Sequence, residues 1–420
     1  METENDIKID MINNISNPRE LEVLYRKDKY SFQKVFNSIY PGFKENAVAQ
    51  FWNERLNFKK EEIIGANKNE LLFIVLASII AGLIAQIPHF FSIEPESYYT
   101  RNIAFIAFPT LIMYFSWKQK LGTSSLIFPI IALMISVFYI NTIPFNNKSD
   151  SVMLACIHLP IFLWSLLGYS YLGNKIQNSE KRINFLRYNG DLVVMCAILM
   201  LSGILFSGMT MGLFELIGFK IEELYFKYVA IWGLAAIPLV GTYLVQNRPE
   251  LVNKISPLIA RIFTPLVFIL LLIFLIAIIY TGKDPYKDRD FLIVFNVLLL
   301  GVMAIILFSL TEATKSKQQK INLWFLMGLS LLTIIDNGIA LSAIGFRLFE
   351  YGISPNRLAV LGSNLLIFIN LLLVAHKLLL ILMGKCALEK VEKTIALFLP
   401  VYFIWSAFVT FIFPLIFHFK

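Results

Sequence analysis

The sequence predicts an all-α fold: a polytopic bundle of about eleven transmembrane helices behind a small amphipathic helical segment. Three observations predict it. The chain of 420 residues is 57% hydrophobic and 16% charged, against roughly 45–50% and about 25% in soluble domains. The apolar excess is gathered into runs of about 20 residues, the length that crosses the hydrocarbon core as a helix. A hydrocarbon core offers no water to backbone N–H and C=O groups, so each run must satisfy them within itself, as a helix does.

Charge fits the same class. The net charge is +8. Lys and Arg gather in the connections between runs, where they contact anionic lipid. No stretch interleaves basic and aromatic residues on a polar face, which argues against a nucleic-acid partner. The three cysteines form no CxxC pair: Cys156 and Cys196 lie inside apolar runs and Cys386 in a loop, so no disulfide framework is expected.

Residues 1–69 form the soluble preface. Asn17-Pro18 is a helix start, with Asn as cap and Pro in the first turn. Leu21, Leu24 and Tyr25 share a face, as do Phe32, Val35, Phe36 and Ile39, and then Val48, Phe51, Trp52 and Leu56; Tyr40-Pro41-Gly42 separates the last two groups. These are two or three amphipathic helices that dock on each other, on the bundle or on lipid, and that offer a surface to a cytoplasmic protein partner. Residues 1–60 are polar, so the first span is expected to act as an uncleaved insertion signal.

Residues 70–420 read as one transmembrane domain. The predicted spans are 70–91, 102–117, 121–141, 151–172, 190–213, 224–246, 257–281, 291–313, 321–346, 358–383 and 394–418. The second is short and holds Pro109, which predicts a tilt, a kink or fusion with its neighbour. With the N-terminus inside, Lys and Arg divide roughly two to one in favour of the inside. The expected placement is therefore a multi-pass protein of the bacterial inner membrane, N-terminus cytoplasmic and C-terminus outside. Arg187 precedes Asp191 by one helical turn, which predicts an ion pair, and Arg261 is placed to snorkel to the inner interface. Glu215, Lys220, Glu222, Glu223 and Lys227 form a charged outer corner, and Gly208-x-x-x-Gly212 is a small-residue pattern that lets helices approach.

Motifs for phosphate loops, dinucleotide folds, zinc hydrolases and nucleophile elbows are absent. His89, His158, His376 and His418 lie on four different spans. No metal and no cofactor are expected.

The polar residues of the late spans carry the chemistry. Asp336-Asn337 sits past the middle of an apolar run, where a charge costs about 2.5–3.5 kcal/mol on insertion scales. Arg347 follows eleven residues later, close to three turns on and about 16 Å along the axis, too far for a direct pair. Arg347, Glu350 and Arg357 gather around the next turn. They read either as an anion or headgroup site or as a salt-bridged corner that orients two helices. Asn356, Ser363, Asn370 and Lys377 follow at steps of seven, with Asn364 and His376 beside them. Seven residues return to nearly the same face, so this span carries a polar stripe. The stripe either bonds neighbouring helices or lines a wet path.

Tyr351-Gly352-Ile353-Ser354, with Arg357 and then Leu361-Gly362-Ser363-Asn364-Leu365-Leu366, resembles the late-helix signature Tyr-Gly-(aliphatic)-Ser/Thr-x-x-Arg of the bacterial membrane proteins grouped as DUF4153. The resemblance implies an uncharacterised bacterial inner-membrane protein and singles out Arg357. It implies no chemistry.

Three functional readings follow. The first is a transporter or permease for a small or amphiphilic solute. In it Asp336 is the binding or coupling carboxylate, Asn370 a lining group, and Arg347 and Arg357 the outer anion contacts. The second is a non-catalytic scaffold or sensor that binds a cytoplasmic partner through 1–69. The third is a membrane-embedded transferase on a lipid carrier with Asp336 or Glu350 as base; lacking a metal or nucleotide motif, it ranks last.

Overall fold

A computed structural model describes residues 4–57, 68–144, 149–173, 175–216, 220–248, 264–273, 275–276, 280, 286, 289–313 and 320–419. The chain divides into two compact units, Met1–Lys68 and Asn69–Lys420.

The first unit has four helices: α1 (Glu4–Asn13), α2 (Pro18–Lys27), α3 (Lys29–Ile39) and α4 (Ala47–Asn57). Asn17 caps α2, its side chain accepting from the Arg19 and Glu20 amides, and Tyr40–Gly42 forms a 3₁₀ turn. The three predicted faces converge on one core of Leu21, Phe32, Phe36 and Trp52, to which the unpredicted α1 adds Met11. Phe51 departs from its predicted face and is 64% exposed. Arg55 lies over Trp52 at 4.4 Å and pairs with Glu22 at 2.6 Å. The hydrogen bonds from Arg55 and then Arg26 hold the Glu22 carboxyl below the usual carboxylate range.

The described residues of the second unit form helices joined by short connections: α5 (Lys68–Phe91), α6 (Pro95–Lys118), α7 (Thr123–Thr142), α8 (Asp150–Leu172), α9 (Ser179–Leu216), α10 (Glu222–Asn247), α11 (Thr264–Ile273), α12 (Arg289–Ala313), α13 (Lys320–Tyr351), α14 (Pro355–Leu382), α15 (Glu389–Phe411) and α16 (Phe413–Ile416). Among the described residues, eight helices are long and apolar enough to cross a membrane: those on α5, α7, α8, α9, α10, α13, α14 and α15. The predicted second span is the middle of α6, which runs unbroken through Pro109 for 24 residues. It is more polar than the eight because Glu96, Arg101 and Asn102 sit in its first half. The seventh predicted span is described chiefly at Thr264–Ile273. Arg261 and the Glu215 side chain lie outside the described residues.

Two cores hold the unit. The first joins α5, α6, α8, α9 and α10 around Phe115, Leu163, Leu166 and Leu239. The second joins α11 to α15 around Leu271, Ile306, Leu329, Leu371 and Ile395. α8 is the most enclosed spanning helix, whereas α7 and the later half of α9 leave apolar side chains uncovered, as lipid-facing surfaces do. Residues Tyr225–Ala230 of α10 are a π-helical stretch, and the Lys227 carbonyl there accepts from the Gln86 amide of α5. π-Stretches leave carbonyls open to such partners. Among the described residues, open space surrounds Gly208, so no described helix seats against it. Close approach occurs instead at Gly362, where a Cβ would lie 2.1 Å from the Trp405 ring.

Candidate functional site

α13 and α14 form an antiparallel hairpin, and every predicted site residue lies on it. Gly352 closes the turn at φ +75°, a left-handed conformation open to glycine without strain. Ser354 then caps α14, its hydroxyl accepting from the Arg357 amide, with Pro355 in the first turn. The Arg357 Nη1 donates to the Tyr351 carbonyl at 2.8 Å and to the Gly352 carbonyl at 2.7 Å. These are carbonyls that a helix end leaves open. Arg347 and Arg357 both lie against the Tyr351 ring, 5.8 and 5.5 Å from its centroid. Glu350 is exposed and pairs with neither arginine among the described residues. Carbonyl capping and ring contacts hold the corner in place of the expected salt bridges. The Arg347 Nη1 is buried with no hydrogen-bond partner among the described residues.

The middle of the hairpin is buried and polar. Asp336, Asn337 and Asn370 are each 0% exposed. The Asn337 Nδ2 donates to the Asn364 carbonyl at 3.1 Å, and the Asn364 Nδ2 to Asn296 Oδ1 of α12 at 2.6 Å. The Asn370 Nδ2 donates to the Tyr402 hydroxyl of α15 at 2.9 Å. Ser363 Oγ accepts from the Trp405 indole, also on α15, at 3.0 Å. Lys377 is half-buried farther along α14. Ser363 and Asn370 of the predicted stripe, with Asn364 beside it, thus bond neighbouring helices.

The oxygens fare differently. Both Asp336 oxygens, Asn337 Oδ1, Asn370 Oδ1 and the Ser330 hydroxyl are buried with no hydrogen-bond partner among the described residues. An unmet buried polar group costs about 1–3 kcal/mol, more when charged. The hairpin arranges these atoms in two tiers. From the level where Asn337 meets Asn364, Asn370 lies about 9 Å along α14 and Ser330 about 10 Å back along α13. Antiparallel helices bring those two to one depth. Asp336 and Asn337 make the other tier. The site is thus rich in acceptors and poor in donors.

One buried centre escaped sequence reading. Glu70, 6% exposed, accepts at Oε1 from the Tyr114 hydroxyl, the Lys118 ammonium at 3.0 Å and the Asn247 amide at 3.1 Å. It ties α5 to α6 and α10. The only local signal was Tyr114 and Lys118 at helical spacing, and nothing in the sequence links them to Glu70. Arg187 forms an ion pair with Glu392 of α15. His158 is satisfied within its own helix by the Leu154 carbonyl at 2.9 Å. No group of three or more potential metal ligands occurs among the described residues.

The fold and site define a multi-pass α-helical integral membrane protein. Compared with protein-family models, curated proteins and solved structures, the chain has no match.

Proposed function

We propose that the protein is a transporter or permease for a small or amphiphilic solute. One observation carries the reading. Asp336 is fully buried in a spanning helix with no donor to either oxygen among the described residues. Intramembrane carboxylates are costly and mark solute or ion paths. The second tier at Ser330 and Asn370 supports a path over a single packing contact. In this reading Asp336 binds a cationic or proton-bearing group, Asn337 and Asn370 line the way, and Asn364 positions Asn337. Arg347 meets any anionic part at the outer end. Arg357, engaged with two carbonyls, holds the corner.

The same reading places about eleven crossings in a bacterial inner membrane, with α6, α11 and α12 completing the eight apolar helices. The excess of Lys and Arg supports a cytoplasmic N-terminus. Membership of DUF4153 belongs to it as well and rests on Tyr351, Gly352, Ile353, Ser354 and Arg357.

Cysteine accessibility tests the path. In a variant with Cys156, Cys196 and Cys386 replaced, single cysteines at Ala340, Ser363 and Asn370 are exposed to a membrane-impermeant maleimide from each side. Labelling at Ala340 and Asn370 is expected, because Ala340 lies about one turn from Asn337 and Asn370 belongs to the second tier. Silence from both sides would mean dry packing and would sink the transport reading.

A second reading, a scaffold or sensor, is favoured by the N-terminal unit, which has its own aromatic core and leaves Phe51 exposed. It expects loss of function on deletion of residues 4–57 and full tolerance of Asp336→Asn.

A further inference from the structure

A pocket of about 370 Å³ lies between α7, α8, the start of α9 and α15. None of its lining comes from α13 or α14, so it is distinct from the Asp336 site. Its walls are largely aromatic: Phe128, Trp164, Tyr169, Phe185 and Phe403. Its polar side chains are few. The Ser165 hydroxyl is spent within its own helix on the Ile161 carbonyl, 2.9 Å away. That leaves Arg182 as the charged group in the lining.

The guanidinium is held in place by neutral oxygens. Its Nε donates to the Ile176 carbonyl at 2.9 Å and its Nη1 to the Ala396 carbonyl at 3.0 Å. The second contact has a cause in the sequence. Pro400 has no N–H to return to the residue four before it, so the Ala396 carbonyl is open and Arg182 fills the vacancy. Carbonyls fix the side chain without cancelling its charge, and no carboxylate pairs with it among the described residues. A guanidinium offers five N–H donors, so several remain to face a ligand.

Depth and mouth say what that ligand is. Arg182 sits three residues into α9, beside Lys181, at the basic connection between α8 and α9. Trp164 lies eight residues before the end of α8, about 12 Å deeper by helical rise. The pocket therefore runs from a basic end into the span. Its rim includes Phe128 and Ile176, 45% and 41% exposed, and Phe128 belongs to the uncovered apolar surface of α7. The mouth faces what that surface faces, the bilayer.

We propose that this pocket binds an acyl chain of an anionic phospholipid, with the headgroup phosphate against Arg182. Guanidinium matches phosphate in geometry and charge, and the aromatic walls take the chain. Any bilayer chain could fill an apolar groove. Selection for an anionic headgroup is what the fixed, uncompensated Arg182 adds.

The test uses the full-length protein in detergent and native mass spectrometry, with phosphatidylglycerol and phosphatidylcholine of identical chains. Both lipids present the same phosphate, but the choline cation of phosphatidylcholine cancels its charge beside Arg182, so phosphatidylglycerol is expected to bind about tenfold tighter. Arg182→Gln brings the two lipids to parity. Ser165→Trp fills the pocket and loses both, while leaving the bonds of Arg182 intact. It decides the matter if Arg182→Gln fails to fold for want of the Ala396 contact. Equal binding of the two lipids by the wild type, or undiminished phosphatidylglycerol binding by a folded Ser165→Trp protein, overturns the proposal and marks the groove as ordinary annular surface.

Discussion

The Asn337 side chain donates to the main-chain carbonyl of Asn364, 3.1 Å away. A side chain of α13 thereby fixes the register of α14, and this register sets the depth of Asp336 against its neighbours. The two adjacent residues then have opposite consequences. Asn337→Leu removes a buried interhelical bond and is expected to cost about 0.6–1.7 kcal/mol, read as a lower unfolding temperature in detergent. Asp336→Asn removes a buried carboxylate that has no donor among the described residues, so stability should hold or rise. Function should be lost in a complementation or transport assay while expression stays near normal. A fully active Asp336→Asn protein would remove the carboxylate from the site.

Glu70 collects three donors from α6 and α10. Glu70→Ala strands the Lys118 ammonium, whose side chain is 31% exposed. That partial exposure screens the charge, so the expected loss is about 1–3 kcal/mol, below the 3–5 of a fully buried broken pair. Adding Lys118→Met should recover part of it. Thermal denaturation of the two single variants and the double variant gives the coupling, and strictly additive losses would mean that the two groups do not interact.

Gly362 allows the Trp405 ring to lie against α14. A methyl at Gly362 would sit 2.1 Å from the ring, so Gly362→Ala must displace Trp405 and break its bond to Ser363. Overpacking of this kind costs about 1–3 kcal/mol. Gly208→Ala, with open space around it, should be neutral or slightly stabilising by helix propensity. Melting temperatures of the pair check the contrast.

The N-terminal unit should depend on pH through Glu22. Its carboxyl titrates below the usual range because Arg55 and Arg26 hydrogen-bond to the charged form. A depressed folded-state pKa contributes stability above the ordinary carboxylate pKa, and the contribution disappears as pH falls through the folded value. Amide exchange over residues 18–57 should therefore speed up on acidification more in the wild type than in Glu22→Gln. Salt should narrow the gap, since the pair is exposed.

Much of the helical layout was legible in the chain because membrane burial leaves a local record. A run of apolar residues needs a helix whatever it packs against, so the apolar runs and the amphipathic faces around Leu21, Phe32 and Trp52 could be read directly. Element ends were harder. α9 begins eleven residues before its apolar run, at Ser179, because Glu180, Arg182 and Arg187 are polar yet good helix formers. α6 extends on both sides of its predicted core, since Pro109 breaks a pattern without breaking the helix.

The sequence by itself determined the class of protein, the polar stripe on α14 and the cost of placing Asp336 in an apolar span, since each follows from composition and helical period. Only the tertiary structure decided which polar atoms are met. Asn370 reaches Tyr402 across 32 positions, Glu70 reaches Asn247 across 177, and Arg182 reaches Ala396 across 214. No local rule encodes such pairings. They depend on which helices lie side by side and at what register, and the packing of side chains such as Trp405 against Gly362 sets both.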